Sequence, residues 1–347
     1  MARHPLTGRE LMRLDHPPHT IDRSRFKPFD QRKNVFGRLI HDKNAPFYRR
    51  GLYDEIEKII DDGRPGFSRV EFARVMGAWA VHDFFHYAFS WEPPSNPNSV
   101  MARPKLEKYI IEDTEAMTKM VKETARMYGA DLVGICKLNN DWMYSHDLEG
   151  RKLSLPSNCR YVIVMAVRME LERLEDTPTF TAGTETALAY SKMAFIVACL
   201  AEFIRYLGYT AIPSGNDTAL SIPLAVDAGL GELGRNGLLI TPEYGPSVRI
   251  CKVFTDMPLI PDKPLKFGVT EFCRNCKLCS MECEVGAISF DDEASYRTVC
   301  PSNNEGILRW AVDHDKCYMF WLENGVDCSK CIAVCPFARI TVKRDES

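Results

Sequence analysis

Apolar positions recur at helical spacing between about Glu112 and Tyr128 and predict an amphipathic helix. The apolar runs that follow, Asp131 to Leu138 and Arg160 to Val167, are short and read as strands. A longer helical pattern runs from about Thr184 to Leu207 and is stopped by Gly208. Short strands are expected at Gly237 to Thr241 and Ser247 to Thr255. The longest apolar stretch, Met193 to Ile204, contains Glu202 and ends at Arg205. It falls well short of the roughly 20 residues a membrane helix needs, so it reads as a buried helix and no transmembrane segment is expected.

The front of the chain follows another pattern. Its first hundred or so residues are rich in Arg, His, Pro and aromatics, and one segment, Ser68 to Phe89, carries a long helical period. The loop WEPPSNPNS, Trp91 to Ser99, marks a boundary. Three units follow: residues 1–104 as an elaborating unit that covers a pocket, residues 105–266 as an α/β core, and residues 267–347 as a cysteine-rich unit. Composition alters this little. A chain of 347 residues with 45% hydrophobic and 26% charged positions can bury a full core, and a net charge of −3 gives no sign of nucleic-acid binding. The opening MARHPLTGRELMRLDHPPH has no apolar signal region, and the Arg49-Arg50 pair runs into GLYDEIEKIID. The expectation is a cytoplasmic protein, or one whose export leader has been removed.

Chemistry enters with the cysteines. Cys273, Cys276, Cys279 and Cys283 have the C-x2-C-x2-C-x3-C spacing of bacterial ferredoxins, in which three close thiolates bind one [4Fe-4S] cluster and the fourth crosses to the other. Cross-ligation pairs Cys335 with Cys273, Cys276 and Cys279, and Cys283 with Cys317, Cys328 and Cys331. A disulfide scaffold suits short secreted chains, and zinc prefers separated C-x-x-C pairs over this nested run. Two features depart from a symmetric ferredoxin: Glu284 stands where proline usually follows the first run, and ten residues separate Cys317 from Cys328. Cys136, Cys159, Cys199, Cys251 and Cys300 read as buried thiols, with Cys300, before Pro301, the one held open.

Two motifs invite other readings. Gly229, Gly231 and Gly234 spell G-x-G-x-x-G, but Pro223 interrupts the preceding segment and a strand-like GLLITPEYG follows, which is the wrong setting for a dinucleotide. Close backbone approach to a large planar or anionic ligand is the better use of these glycines. His82 and His86 in HDFFH share a helix face, yet Asp83 replaces the glutamate base of a zinc peptidase, so both read as packed or pocket-lining.

The segment from Thr181 to Asp256, containing IPSGNDTALSIPLAVDAGLGELGRNGLLITPEYGPSVRICKVFTD, together with the cysteine runs and WLENGVDCSKCIAVCPF, resembles the catalytic subunit of corrinoid-dependent reductive dehalogenases. The resemblance implies an α/β (α+β) fold with a nitroreductase-like cobalamin-binding core and a C-terminal ferredoxin-like domain holding two [4Fe-4S] clusters. It also implies base-off cobalamin, and no D-x-H-x-x-G occurs to offer cobalt a histidine. Its active-site tyrosine falls on Tyr190, its asparagine on Asn216 and its arginine on Arg249, with Thr186 and Trp321 at pocket-lining positions. Pocket contributors from the front of the chain are sought among Trp79, Phe84, Phe85 and Trp91. The implied partners are an organohalide and a low-potential donor: a ferredoxin, a flavodoxin or a membrane-anchored protein. The competing readings are an epoxyqueuosine reductase-like enzyme acting on a modified tRNA base and a non-catalytic electron carrier or corrinoid activase. No basic surface favours the first, and the chain ends 12 residues after Cys335 without a helical-repeat extension. The second has no need of Tyr190, Asn216 and Arg249 together.

Overall fold

The computed structural model describes residues 3–85, 88–92 and 107–340. His86, the Pro/Asn loop from residue 93 onward and the boundary near residue 104 lie outside the described residues.

Four strands form the central sheet: β1 (Leu132–Lys137), β2 (Tyr161–Arg168), β3 (Ala211–Ser214) and β4 (Val248–Thr255), in the order β1-β2-β4-β3. Every neighbouring pair is antiparallel, with Val167 opposite Arg249 and Ser214 opposite Lys252. Because side chains alternate across a strand, Ile163, Met165 and Val167 meet one layer while Val162, Val164 and Ala166 meet the other. Both faces of β2 are therefore buried, which explains why its sequence is a continuous apolar run rather than an alternating one.

Helix α1 (Arg69–Phe84) opens with a capping box: the Ser68 hydroxyl accepts from the Glu71 amide, and the Glu71 carboxylate accepts from the Ser68 amide. Helix α2 (Thr114–Met127) begins at Asp113, whose carboxylate accepts from the Ala116 amide. Helix α3 (Phe180–Tyr206) packs on the Ile163 face through Met193, Ile196, Val197, Leu200 and Ile204, all essentially inaccessible to water. Among the described residues it is the one helix long and apolar enough to cross a membrane, yet here it is the core helix of the sheet. Helix α1 docks along it where the Ser191 hydroxyl donates to the Ala78 carbonyl and accepts from the His82 amide. On the other face lies α4 (Ser221–Asp227), which carries Pro223 in its first turn, where a missing amide hydrogen costs nothing.

The observed elements largely follow the predicted ones, with differences: α3 begins at Phe180 rather than Thr184, and short helices at Val35–His41 and Ile56–Asp61 were not foreseen. Helix α1 ends at Phe84 rather than Phe89, the Gly237 to Thr241 strand shrinks to Leu239–Ile240, and β3 with α4 appears where sequence showed only Gly, Pro and Asn punctuation. Leu239–Ile240 pairs with Glu232–Leu233, so Gly229 to Gly234 lead out of a helix into a strand, the reverse of a dinucleotide motif. The C-terminal unit contains α5 (Val269–Cys276), α6 (His314–Asn324) and α7 (Lys330–Ala333). It is tied to the front of the chain by the Thr7 hydroxyl, which donates to the Phe267 carbonyl, and by Arg9, which donates to the Glu271 carboxylate, while Met12–Arg13 pairs with Leu265–Lys266 just before it.

Candidate active site and cluster sites

Helix α5 sets Cys273 and Cys276 three residues apart on one face. Lys277, in the left-handed conformation at φ 51°, then turns the chain so that Cys279 faces them. Cys273, Cys276, Cys279 and Cys335 line a single cavity with Phe272, Ile240 and Phe337. The remaining four, Cys283, Cys317, Cys328 and Cys331, act electrostatically on one another as the second group. Burial first, and then repulsion from neighbouring thiolates, pushes Cys317 and Cys335 up to about 12 and Cys273 and Cys279 up to about 11. Thiolates crowded this way require cations among them, and iron supplies the charge. Amides of Ala287 and Lys330 lie 3.2 and 3.5 Å from the sulfurs of Cys283 and Cys328, a common way of stabilising cluster thiolates. Arg235, almost wholly buried, donates to the carbonyls of Cys273, Ser289 and Asp291, and its guanidinium sits 4.6 Å from the Trp310 ring centroid. That buried positive charge beside the first cluster went unread in the sequence.

The ten-residue gap between Cys317 and Cys328 has a structural cause. Cys317 lies in helix α6, which runs to Asn324 and is capped by Gly325 in the left-handed conformation, so the chain needs the length of that helix before it returns. The return segment brings Val326 and Asp327 against α3, where Gly183 makes room: a β-carbon there would collide with Val326 and lie 3.3 Å from the Asp327 carboxylate. Asp327, next to Cys328, is buried within the influence of Thr186 and Arg249. Burial raises its carboxyl above the usual range, and Arg249 and Thr186 work against that rise.

Three elements distant in sequence meet above this point. Tyr190 comes from α3, Asn216 from the loop after β3, and Arg249 from β4. The Asn216 amide donates to the Tyr190 hydroxyl at 2.8 Å. The Arg249 guanidinium lies 5.6 Å from the Tyr190 ring centroid and donates to the Thr186 hydroxyl at 3.4 Å, one helical turn before Tyr190. Trp79 stacks on Tyr190 at 5.1 Å, and His82 meets it edge-on at 5.5 Å. Trp79 and His82 share the inner face of α1. Phe84 and Phe85, at its end, point largely to solvent instead, and Trp91 packs on the far side of the sheet. Trp321 sits on α6 beside Tyr318, its ring nitrogen buried without a hydrogen-bond partner, as is the Nε of Arg249.

Gly229, Gly231 and Gly234 do permit close approach, but what approaches is the chain itself. A β-carbon at Gly229 would meet the Lys263 carbonyl, at Gly231 the Ile240 carbonyl, and at Gly234 the Ile240 side chain.

A mixed α/β core joined to paired four-cysteine sites, with a phenol, an amide and a guanidinium brought together beside them, defines the class: a two-cluster iron–sulfur protein with a polar pocket. Two family models match: Reductive dehalogenase subunit over residues 141–259, and 4Fe-4S dicluster domain over residues 272–340. The chain is 41% identical over 257 residues to the tetrachloroethene reductive dehalogenase of Sulfurospirillum multivorans, covering 65% of this chain and 51% of that protein. Against that of Desulfitobacterium hafniense it is 36% identical over 296 residues, covering 73% and 53%. A solved reductive dehalogenase structure, described as B12-dependent, superposes with a TM-score of 0.75 at 23% identity over 95% of this chain and 44% of that one, a likeness of fold. The chain belongs to the reductive dehalogenase family. It spans about half the length of the curated relatives it matches.

Proposed function

We propose that this protein cleaves the carbon–halogen bond of an organohalide and replaces halide by hydrogen. The change consumes two electrons and one proton: R–X + 2e⁻ + H⁺ gives R–H + X⁻. Electrons from a low-potential ferredoxin, flavodoxin or membrane-anchored donor enter through the two clusters. Cobalamin, as in the B12-dependent neighbour, supplies the reductive chemistry at the carbon–halogen bond when bound. The buried, unpartnered Nε of Arg249, beside Tyr190, and the orphaned ring nitrogen of Trp321 on α6 fit a large polar group that would engage both.

The chain's own residues manage the proton. Asn216 donates to the phenol oxygen and so leaves the phenol's hydrogen free for the carbon that loses halide. Arg249 then stabilises the phenolate, because a fixed opposite charge favours the ionised form. Trp79 and His82 wall the tyrosine and leave an apolar approach.

The contact of Asn216 with Tyr190 beside Arg249 carries this reading, since an electron carrier has no use for it. Halide release from tetrachloroethene, the substrate named for the relatives, is measured first with reduced viologen and cobalamin-loaded protein, then from brominated and chlorinated phenols. Release with any of them supports the proposal. A protein loaded with both clusters and cobalamin that releases no halide from any of them overturns it.

A further inference from the structure

One charged side chain lies wholly inside the core without a part in the chemistry above. Lys252 is fully buried on β4, in VRICKVFT, where its even-numbered neighbours Val248, Ile250 and Phe254 all face the α4 layer. Arg249 projects from the opposite face of the same strand, toward Tyr190. The Lys252 ammonium donates to the Gly215 carbonyl and, at 3.1 Å, to the Ser221 hydroxyl. Gly215 directly precedes Asn216. Two further bonds hold the same turn: Tyr144 donates to the Asn216 carbonyl at 3.2 Å, and the Asp217 carboxylate accepts from the Gly215 amide at 2.7 Å. The turn is strained, with Thr218 at φ 68°, a conformation that a β-branched residue keeps only under constraint. A buried ammonium is costly, and burial pulls the Lys252 pKa down to about 8 against the opposing pull of Asp217. A methionine would fill the space without that cost.

We propose that Lys252 is a positioning residue for proton delivery: by fixing the Gly215 carbonyl from beneath the sheet, it aims the Asn216 amide at the Tyr190 hydroxyl. The proposal rests on the reading of Tyr190 as proton donor. Strand β4 thus serves the site from both faces, with Arg249 beside the phenol and Lys252 beneath the turn that orients it.

The test is Lys252→Met in protein loaded with both clusters and cobalamin, alone and combined with Tyr190→Phe. The expected result is a kcat about 10- to 100-fold lower with KM within about threefold, because a misplaced proton donor affects the chemical step more than substrate binding. Combined with Tyr190→Phe, the lysine change should add no further loss, whereas a purely structural lysine would subtract independently. Thermal unfolding of Lys252→Met at neutral pH should be unchanged or raised. Wild-type kcat in Lys252→Met while Tyr190→Phe is inactive overturns the proposal and leaves the proton-donor reading standing. Wild-type kcat in Tyr190→Phe overturns both. If Lys252→Met does not fold, Ser221→Ala removes one acceptor of the ammonium and keeps the lysine. A loss of about twofold or more that disappears in the Tyr190→Phe background supports the proposal, and an unchanged kcat overturns it.

Discussion

The cysteine groups and the proposed catalytic trio are built in opposite ways. Cys273, Cys276 and Cys279 lie within seven residues on α5 and the turn after it, so local geometry alone aims three ligands at one point. Tyr190, Asn216 and Arg249 span 60 residues and arrive from a helix, a loop and a strand, so the whole sheet must be in place before they touch. The two regions meet at Cys328 and Asp327: one belongs to the second cysteine group, and its neighbour's buried carboxyl feels the charge of Arg249. A local device can lose one member and fail at once, whereas a distributed one degrades by the amount each part contributes.

The largest effect should come from the local device. Cys331→Ser removes a ligand buried among the thiols of the second group. Iron content should fall from about eight toward about four per chain, with turnover abolished. Chemical iron analysis on anaerobically reconstituted protein checks this, and an unchanged count would break the proposed pairing. Next is Tyr190→Phe, which keeps the ring stacked on Trp79 and removes its proton. Turnover should drop about 10²- to 10⁴-fold with iron and corrinoid content unchanged, both measured on the same sample. Arg249→Lys should cost less, roughly 10- to 100-fold, since an ammonium lacks the planar, multi-donor guanidinium that reaches Tyr190 and Thr186 together.

Lys252 gives a smaller and more specific effect. Its folded pKa, about 8, lies below the ordinary 10.5, because of burial first, with Asp217 and the Cys251 thiol working against the fall. Between these values the unfolded chain holds a proton that the folded protein has released, so stability from this group rises with pH across that window, by up to about 3 kcal/mol. Below about pH 8 both states are protonated and the burial cost is fully present. Denaturant unfolding of the wild type and Lys252→Met across pH 7.5 to 10 should show the rise in the first and not in the second; parallel curves would contradict it. Smallest of all is Cys300→Ser. Its thiol is buried outside both cysteine groups, its pKa raised by burial, and iron content should stay at about eight.

Legibility in the sequence followed this same division. The long helix, three of the four sheet strands and the cluster ligands could be read from spacing, because periodicity and short-range ligand geometry are local properties. β3 and α4 were hidden, since AIPS and SIPLAVD carry prolines that local rules count against regular structure; an edge position and a helix's first turn accommodate them. Phe84 and Phe85 looked like pocket walls by composition, but the angular position of a residue on α1 decides which side it faces. Lys252 and Asp327 did leave a signal, a charge within an apolar strand and an acid beside a cluster cysteine. A sequence cannot say what faces a side chain on another element.

By itself the sequence indicated which cysteines fall into two groups of four, the sheet and helix periods, and, through resemblance, the trio Tyr190, Asn216 and Arg249. Those follow from residue types and distances along the chain. The tertiary structure alone decided that Asn216 donates to Tyr190, that Arg249 donates to Thr186 and acts on the buried Asp327, and that Gly229, Gly231 and Gly234 admit the chain's own backbone and side chains. Hydrogen bonds and ion pairs across elements depend on ångström-scale placement, and that placement is set by how the core packs as a whole.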